Sequence, residues 1–241
     1  MFEEAGFSAL TPGWPDDPET VAEANAHPEV LADKTVGQVA DHFAAVIGTL
    51  TRKPAVIGHS FGGLLAQIIA GRGLASVAVA IDPAPFRGVL PLPISALRSS
   101  APVLGNPATA TVRSRSRSSS SGSGSPMRSA RTRPRSSMTR SPCPRPARRL
   151  LFQAATANLN PWTEAKVDSK NSDRGPLLII SGEKDNTVPW AIANASYKKQ
   201  KRNEGVTEIT EIPNRGHALT IDSGWREVAD TALAFVQRFV K

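Results

Sequence analysis

The hydrophobic positions of this 241-residue chain follow two patterns, one typical of helices and one typical of buried strands. Apolar residues recur every three or four positions over 36–50 and again over 225–239, which predicts two amphipathic helices. Continuous apolar runs, as expected for strands buried on both faces of a sheet, lie at 55–57, 76–81 and 177–180.

Further elements are predicted between these runs. Residues 61–70 and 190–199 have helical patterns, and residues 206–212 alternate between apolar and polar positions as a strand does. Near the amino terminus, residues 7–10 are predicted to form a short strand ahead of a proline-containing turn. Because strands and helices alternate along the chain, we predict an α/β fold with a mostly parallel sheet and helices on both faces.

One segment of unusual composition interrupts this regular pattern. Residues 109–149 contain eleven arginines and twelve serines but no lysine and no acidic residue. This segment accounts for the net charge of +8, because the rest of the chain carries a net −3. We therefore predict an amino-terminal part of the core at 1–105, a low-complexity insert at 106–149 and a carboxyl-terminal part of the core at 150–241.

The insert has two interpretations, and both predict that it is disordered. An arginine-serine segment could bind RNA or be phosphorylated. We favour another hypothesis, because arginine with serine, proline and alanine but no lysine is typical of GC-rich DNA read out of frame. A pair of compensating frameshifts would have replaced a cap helix, and the run at 150–153 would mark the return to the original frame. Resequencing the gene would test this hypothesis.

The overall composition narrows the class of protein. Hydrophobic residues make up 40% of the chain, and no apolar run approaches the roughly 20 residues that cross a bilayer. The first residues are acidic and lack the apolar core of a secretion signal. Cys143 is the single cysteine, which excludes an internal disulfide. We expect a soluble cytoplasmic protein without a membrane partner, and the sequence gives no indication of its oligomeric state.

The clearest chemical motif is the hexapeptide Gly-His-Ser-Phe-Gly-Gly at 58–63. A predicted strand precedes it and a predicted helix follows it, which is the context of a nucleophile elbow. The sharp turn would project the Ser60 hydroxyl outward, and Gly58 and Gly62 would prevent clashes between neighbouring parts of the backbone. The helix that begins at Phe61 would point its positive end at the same place, so the Phe61 N–H is a candidate oxyanion donor.

A serine nucleophile needs a base to accept its proton and an acid to orient that base. His217 is the candidate base, because it follows the last predicted strand and its loop could reach Ser60. Asp185 follows the strand before that one and is the candidate acid. The alternative acid is Asp82, which ends an earlier predicted strand, and Glu183 is a weaker third candidate.

The segments around Ser60, Asp185 and His217 resemble the α/β-hydrolase superfamily, particularly its small bacterial esterase-like and haloperoxidase-like members. The resemblance covers most of residues 1–105 and 150–241. It implies that Ser60 is the nucleophile, Asp185 the orienting acid and His217 the general base and acid. The implied reaction is hydrolysis of esters with small or medium acyl groups through an acyl-enzyme, with no metal or cofactor.

The chain departs from that family at two places. Relatives begin with strands that lead to a His-Gly loop carrying the second oxyanion donor, whereas no His-Gly pair precedes Ser60 here. The missing strand would lie between those predicted at 7–10 and 55–57, so we expect a gap within the sheet. The loss of one oxyanion donor typically lowers the rate about 100- to 1000-fold. The second departure is the insert, which occupies the position of the cap.

Three functions therefore stay open from the sequence. The first is a serine hydrolase whose partner is a small-molecule ester, and the second is an inactive relative of such an enzyme. The third is a nucleic-acid-binding protein acting through residues 109–149. The acidic balance of the remaining chain gives this third function no support, and it would leave the ordered Ser60, Asp185 and His217 unexplained.

Overall fold

The computed structural model describes residues 1–18, 20, 22–23, 34–89, 153–154 and 156–240. The predicted insert at 106–149 lies outside these residues, so both hypotheses about it stay predictions. No helix in the described part of the chain is long and apolar enough to span a bilayer.

The described elements alternate between helix and strand, and each predicted element from residue 36 onward is present with ends within two residues of the prediction. In chain order they are α1 (Val36–Gly48), β1 (Ala55–His59), α2 (Phe61–Gly71), β2 (Val77–Ile81), a 3₁₀ turn (Ser172–Arg174), β3 (Leu177–Gly182), α3 (Trp190–Gln200), β4 (Thr207–Ile212) and α4 (Trp225–Gln237).

The four strands form one parallel sheet in the order β1-β2-β3-β4. All residues of β2 and β3 are buried, which explains their continuous apolar sequences. Because the strands are parallel, the carboxyl ends of all four meet at one edge of the sheet. The predicted α/β fold with a parallel sheet is confirmed.

Helices cover both faces of the sheet, as predicted. On one face, Val77, Val79 and Ile180 pack with α4 side chains, among them Phe235 and Val236. On the other face, residues of β2 and β3 pack with α2 and α3, and the members of this cluster include Ala78, Ala80, Ile179, Ile69 and Ala193. The side chains of β2 and β3 therefore alternate between two apolar layers, which fixes the register of both strands.

The prediction of a strand at residues 7–10 is wrong. These residues have irregular backbone, and Ser8, Ala9 and Leu10 are exposed. Phe7 instead packs edge-on against Phe2, with ring centroids 6.4 Å apart. A strand needs a ladder partner, and no described residue pairs with this segment.

A cavity of about 830 Å³ lies between residues 7–10 and strand β1. No strand in the described ranges pairs with the outer edge of β1, and the Ile57 side chain there is 40% exposed. Apolar side chains from three helices line the cavity, among them Phe43, Ile47, Leu65, Ile69 and Val236. The cavity therefore lies between residues 7–10 and 55–57, which is the predicted position of the missing strand.

Candidate active site

Ser60 occupies a sharp turn between β1 and α2. Its backbone has φ 56° and ψ −116°, an unfavourable conformation for a residue with a side chain. The Ser60 N–H donates to the Ile81 carbonyl at 2.8 Å. The Ser60 carbonyl accepts hydrogen bonds from Gly63 N–H at 3.0 Å and from Ala84 N–H at 2.9 Å. The turn is therefore held by α2 and by the end of β2.

The glycines around the turn have different roles. A Cβ atom on Gly58 would lie 2.0 Å from the Gly62 carbonyl oxygen, so only glycine fits at position 58. The predicted steric role of Gly62 is wrong, because a Cβ at that position would meet no atom within 4 Å. Gly63 is the second crowded position, since its Cβ would lie 3.0 Å from Cα of Pro83. This glycine permits the close approach between α2 and the segment after β2.

The structure brings Ser60, His217 and Asp185 together. The Ser60 hydroxyl lies 2.9 Å from Nε2 of His217 and donates to it, while Nδ1–H of His217 donates to Oδ2 of Asp185 at 2.6 Å. Ser60 follows β1, Asp185 follows β3 and His217 follows β4, so the three side chains meet at the carboxyl edge of the sheet. The arrangement can move a proton from the serine hydroxyl onto an oriented imidazole.

The loop that carries His217 is bonded to the loop that carries Asp185. Lys184 N–H donates to the Arg215 carbonyl at 2.7 Å, and Asn214 N–H donates to the Glu183 carboxylate at 2.7 Å. The side chain of Glu183, the weakest of the candidate acids, therefore binds the main chain of the loop that carries His217. These bonds fix the distance between the acid and the base.

The environment of Asp185 favours its ionised form although the residue is buried. The residue is 3% exposed, and burial alone would raise its pKa. His217 donates to its carboxylate, and the N–H groups of Thr187 and Val188 donate to Oδ1 at 2.7 and 2.9 Å. Together these bonds hold the pKa of Asp185 below its usual value.

His59, the second residue of the motif, supports the His217 main chain. Its Nε2–H donates to the His217 carbonyl at 2.9 Å, and the two rings lie 4.8 Å apart. Burial, together with the neighbouring His217, lowers the pKa of His59. His59 therefore acts as a neutral hydrogen-bond donor between the end of β1 and the histidine loop.

Asp82, the alternative acid, lies beside the three residues but does not contact the imidazole of His217 by a hydrogen bond. It is fully buried, and its Oδ1 accepts from Gly182 N–H at 2.8 Å. Burial, followed by the charge of Asp185, raises the pKa of Asp82 to about 7. Local sequence could not indicate this property, because it depends on neighbours about 100 residues away.

A metal ion does not suit this cluster. One oxygen of Asp82 and one ring nitrogen each of His59 and His217 lie within 4.8 Å of one another. However, both nitrogens of His217 are already engaged, by Ser60 and by Asp185. A metal bound through His217 would have to break one of these two hydrogen bonds.

Phe61 lies at the predicted start of the helix that follows Ser60. It is the first residue of α2, so its N–H has no acceptor within the helix. Its ring is stacked on that of Trp14, with centroids 5.6 Å apart and an interplanar angle of 30°. Trp14 belongs to the loop before α1, and this contact encloses the amino-terminal end of α2.

Comparisons with known proteins agree with this architecture. A family model described as "Alpha/beta hydrolase family" matches residues 6–231. A structure reported for LipS and LipT, two metagenome-derived lipolytic enzymes, is 20% identical with a TM-score of 0.59, and the match covers 98% of this chain and 84% of that one.

Two further solved structures are similar at a lower level. The esterase Pf2001 of Pyrococcus furiosus is 18% identical with a TM-score of 0.49, covering 86% of this chain and 65% of that one. A monoacylglycerol lipase of Paleococcus ferrophilus is 17% identical with a TM-score of 0.45, and the coverages are 92% and 90%. A search of curated protein sequences finds no match.

Proposed function

Because the chain belongs to the alpha/beta hydrolase family, we propose that it is a serine hydrolase that cleaves carboxylic esters. The observation that carries the proposal is the continuous hydrogen-bonded chain from Ser60 through His217 to Asp185, with distances of 2.9 and 2.6 Å. A nucleophile, a base and an orienting acid within these distances form the arrangement that activates a serine hydroxyl.

The first half of the proposed reaction forms an acyl-enzyme. Oγ of Ser60 attacks the ester carbonyl carbon while Nε2 of His217 accepts the hydroxyl proton. The Asp185 carboxylate stabilises the resulting imidazolium through Nδ1–H. The carbonyl oxygen becomes an oxyanion, for which the Phe61 N–H at the start of α2 is the proposed donor. Collapse of this intermediate breaks the bond to the alcohol oxygen, which takes the proton from His217.

The second half regenerates the enzyme. Water replaces the alcohol, and His217 removes a proton from it as it attacks the acyl carbon. A second oxyanion forms and collapses, the Ser60–acyl bond breaks, and Ser60 recovers its proton from His217. The products are a carboxylic acid and an alcohol, and no metal or cofactor takes part.

The proposed substrate class is esters of small or medium acyl groups. The resemblance to small esterases implies this class, and the similar structure reported for LipS and LipT is named as lipolytic. A series of p-nitrophenyl acetate, butyrate and octanoate would determine the preferred length.

Labelling with a fluorophosphonate probe tests the proposal directly, because the probe reacts with activated serines. We expect labelling of the 241-residue chain and complete loss of labelling in Ser60→Ala. Ser8→Ala is the matched control, since Ser8 is exposed and forms none of the hydrogen bonds that join Ser60, His217 and Asp185. Folded protein that does not label at Ser60 would contradict catalysis and leave the inactive relative and the nucleic-acid-binding protein as the open functions.

A further inference from the structure

Asp82 has a feature that the proposed reaction does not use. Its Oδ1 accepts a hydrogen bond from Gly182 N–H, whereas its Oδ2 is buried and accepts none. The backbone of Asp82 also has φ 40°, which is uncommon for a residue other than glycine. A buried carboxylate oxygen without a donor is costly in free energy, but a protonated carboxyl oxygen needs an acceptor instead.

The acceptor is available on Asp185. The charge of Asp185 and a side-chain hydrogen bond to it both contribute to the raised pKa of Asp82. The titratable groups that face Asp82 come from three strand ends: His59 at the end of β1, Asp185 after β3 and His217 after β4. Asp185 already receives His217 on Oδ2 and two main-chain donors on Oδ1, so it holds the negative charge of the pair.

We propose that Asp82 is a positioning residue, which in its protonated form donates a hydrogen bond from Oδ2 to the Asp185 carboxylate and so fixes the acid that orients His217. This inference rests on the proposed function, in which Asp185 is that acid. Two buried carboxyl groups whose charges act on each other cannot both ionise without strong repulsion, so they share one proton. Burial and the Asp185 charge, which raise the pKa of Asp82, keep the proton on Asp82 up to about neutral pH.

The inference predicts how two substitutions differ. In Asp82→Asn the amide NH₂ can donate to Asp185 and its oxygen can accept from Gly182, so the protonated arrangement is imitated at every pH. Asp82→Ala removes the donor and leaves Asp185 with one hydrogen bond fewer. A lost hydrogen bond to a buried charged group corresponds to roughly a 10- to 100-fold loss in kcat.

The first test observes the proton itself and does not require activity. The full chain is labelled with ¹³C at the aspartate side-chain carboxyl carbon, and the resonance that disappears in Asp82→Asn belongs to Asp82. We expect this resonance to titrate near neutral pH. Titration in the ordinary acidic range of a carboxyl group would overturn the inference, whether or not Ser60 reacts with fluorophosphonate.

The second test uses the pH dependence of kcat on p-nitrophenyl butyrate. At pH 6 we expect Asp82→Asn to exceed Asp82→Ala by about 10-fold. As the pH rises through 7, the wild type loses the donor and Asp82→Asn does not, so the ratio of Asp82→Asn to wild type should increase. A ratio that stays constant with pH would assign Asp82 a merely structural role and overturn the inference.

Glu183→Gln is the matched control for the second test. It removes a charge from the Asp185 loop, but Glu183 is exposed and contacts Asn214 rather than Asp185, and the glutamine oxygen can still accept from Asn214 N–H. The ratio of this variant to wild type should not change across the same pH range. Absence of activity in the wild type would contradict the proposed function alone, because the ¹³C titration still decides whether Asp82 is protonated.

Discussion

The two edges of strand β1 differ in how they are supported. On one edge, all five residues of β1 are in register with β2, from Ala55 opposite Val77 to His59 opposite Ile81. On the other edge, no described strand is paired, and a largely apolar cavity of about 830 Å³ adjoins the strand. The Ser60 turn follows this strand, and the two edges of the strand contribute unequally to the geometry of the turn.

The paired edge of β1 determines the geometry of the candidate triad. The main-chain bonds that hold the Ser60 turn come from Ile81 and Ala84 on the β2 side and from α2. Asp185 and His217 follow strands beyond β2, and their loops are bonded to each other. The Ser60, His217 and Asp185 arrangement is therefore complete without any contact across the open edge. We expect large effects from changes on the paired side and small effects from changes on the open side.

The largest predicted effect is on catalysis, for Asp185→Asn. The amide would favour the tautomer of His217 that carries its proton on Nε2. In that tautomer Nε2 cannot accept the proton of the Ser60 hydroxyl. We expect kcat for p-nitrophenyl butyrate to fall roughly 10⁴-fold with little change in stability. Glu183→Gln, on the same loop, should retain most of the activity. Equal losses in the two variants would show that the acid has been assigned to the wrong residue.

The second prediction compares two glycines of the same motif. Gly58→Ala should lower the free energy of unfolding by about 3 kcal/mol or more, because its Cβ would lie 2.0 Å from a backbone oxygen. Gly62→Ala should leave stability unchanged or raise it by up to about 1 kcal/mol, since alanine favours a helix and the space is open. Urea denaturation measures both. Similar losses for the two variants would contradict the described course of the backbone.

The third prediction compares the same truncation on the two sides of β1. Ile179 on β3 is fully buried, and Ile179→Ala should cost about 3 kcal/mol of unfolding free energy. Ile57 on β1 is 40% exposed beside the cavity, so Ile57→Ala should cost about 1 kcal/mol. If Ile57→Ala is as destabilising as Ile179→Ala in urea, the open edge of β1 is covered in solution.

The sequence predicted what depends on local pattern. The helices and strands from residue 36 onward follow from hydrophobic periodicity, and parallel pairing brings the ends of β1, β3 and β4 to one edge. Ser60, Asp185 and His217 could be nominated because each lies within five residues of the end of a predicted strand. Their roles as nucleophile, acid and base stay a proposal until the chemistry is measured.

The remaining features depend on contacts between distant parts of the chain. Residues 7–10 have a strand-like sequence, but a strand forms only where a neighbour completes its ladder. The motif gives no indication whether Gly62 or Gly63 is the crowded position, because the obstructing Pro83 follows another strand. The protonation of Asp82 likewise depends on burial and on Asp185, which lies 103 positions further along the chain.

The fourth prediction concerns Asp82, which lies on the paired side, and its effect is a dependence of stability on pH. Its pKa is raised in the folded chain, so between about pH 4 and pH 7 the folded state binds more protons than the unfolded state and the wild type loses stability as the pH rises. Asp82→Asn lacks this loss.

The size of the effect follows from the pKa shift, because one pKa unit corresponds to about 1.4 kcal/mol. Because Asp185 shares the proton, we expect Asp82→Asn to gain about 2 kcal/mol relative to wild type between pH 4 and pH 8. Urea denaturation at the two pH values measures this gain, with Glu183→Gln as the control for net charge. A difference between Asp82→Asn and wild type that is the same at both pH values would mean that Asp82 ionises in the folded protein as it does in the unfolded chain.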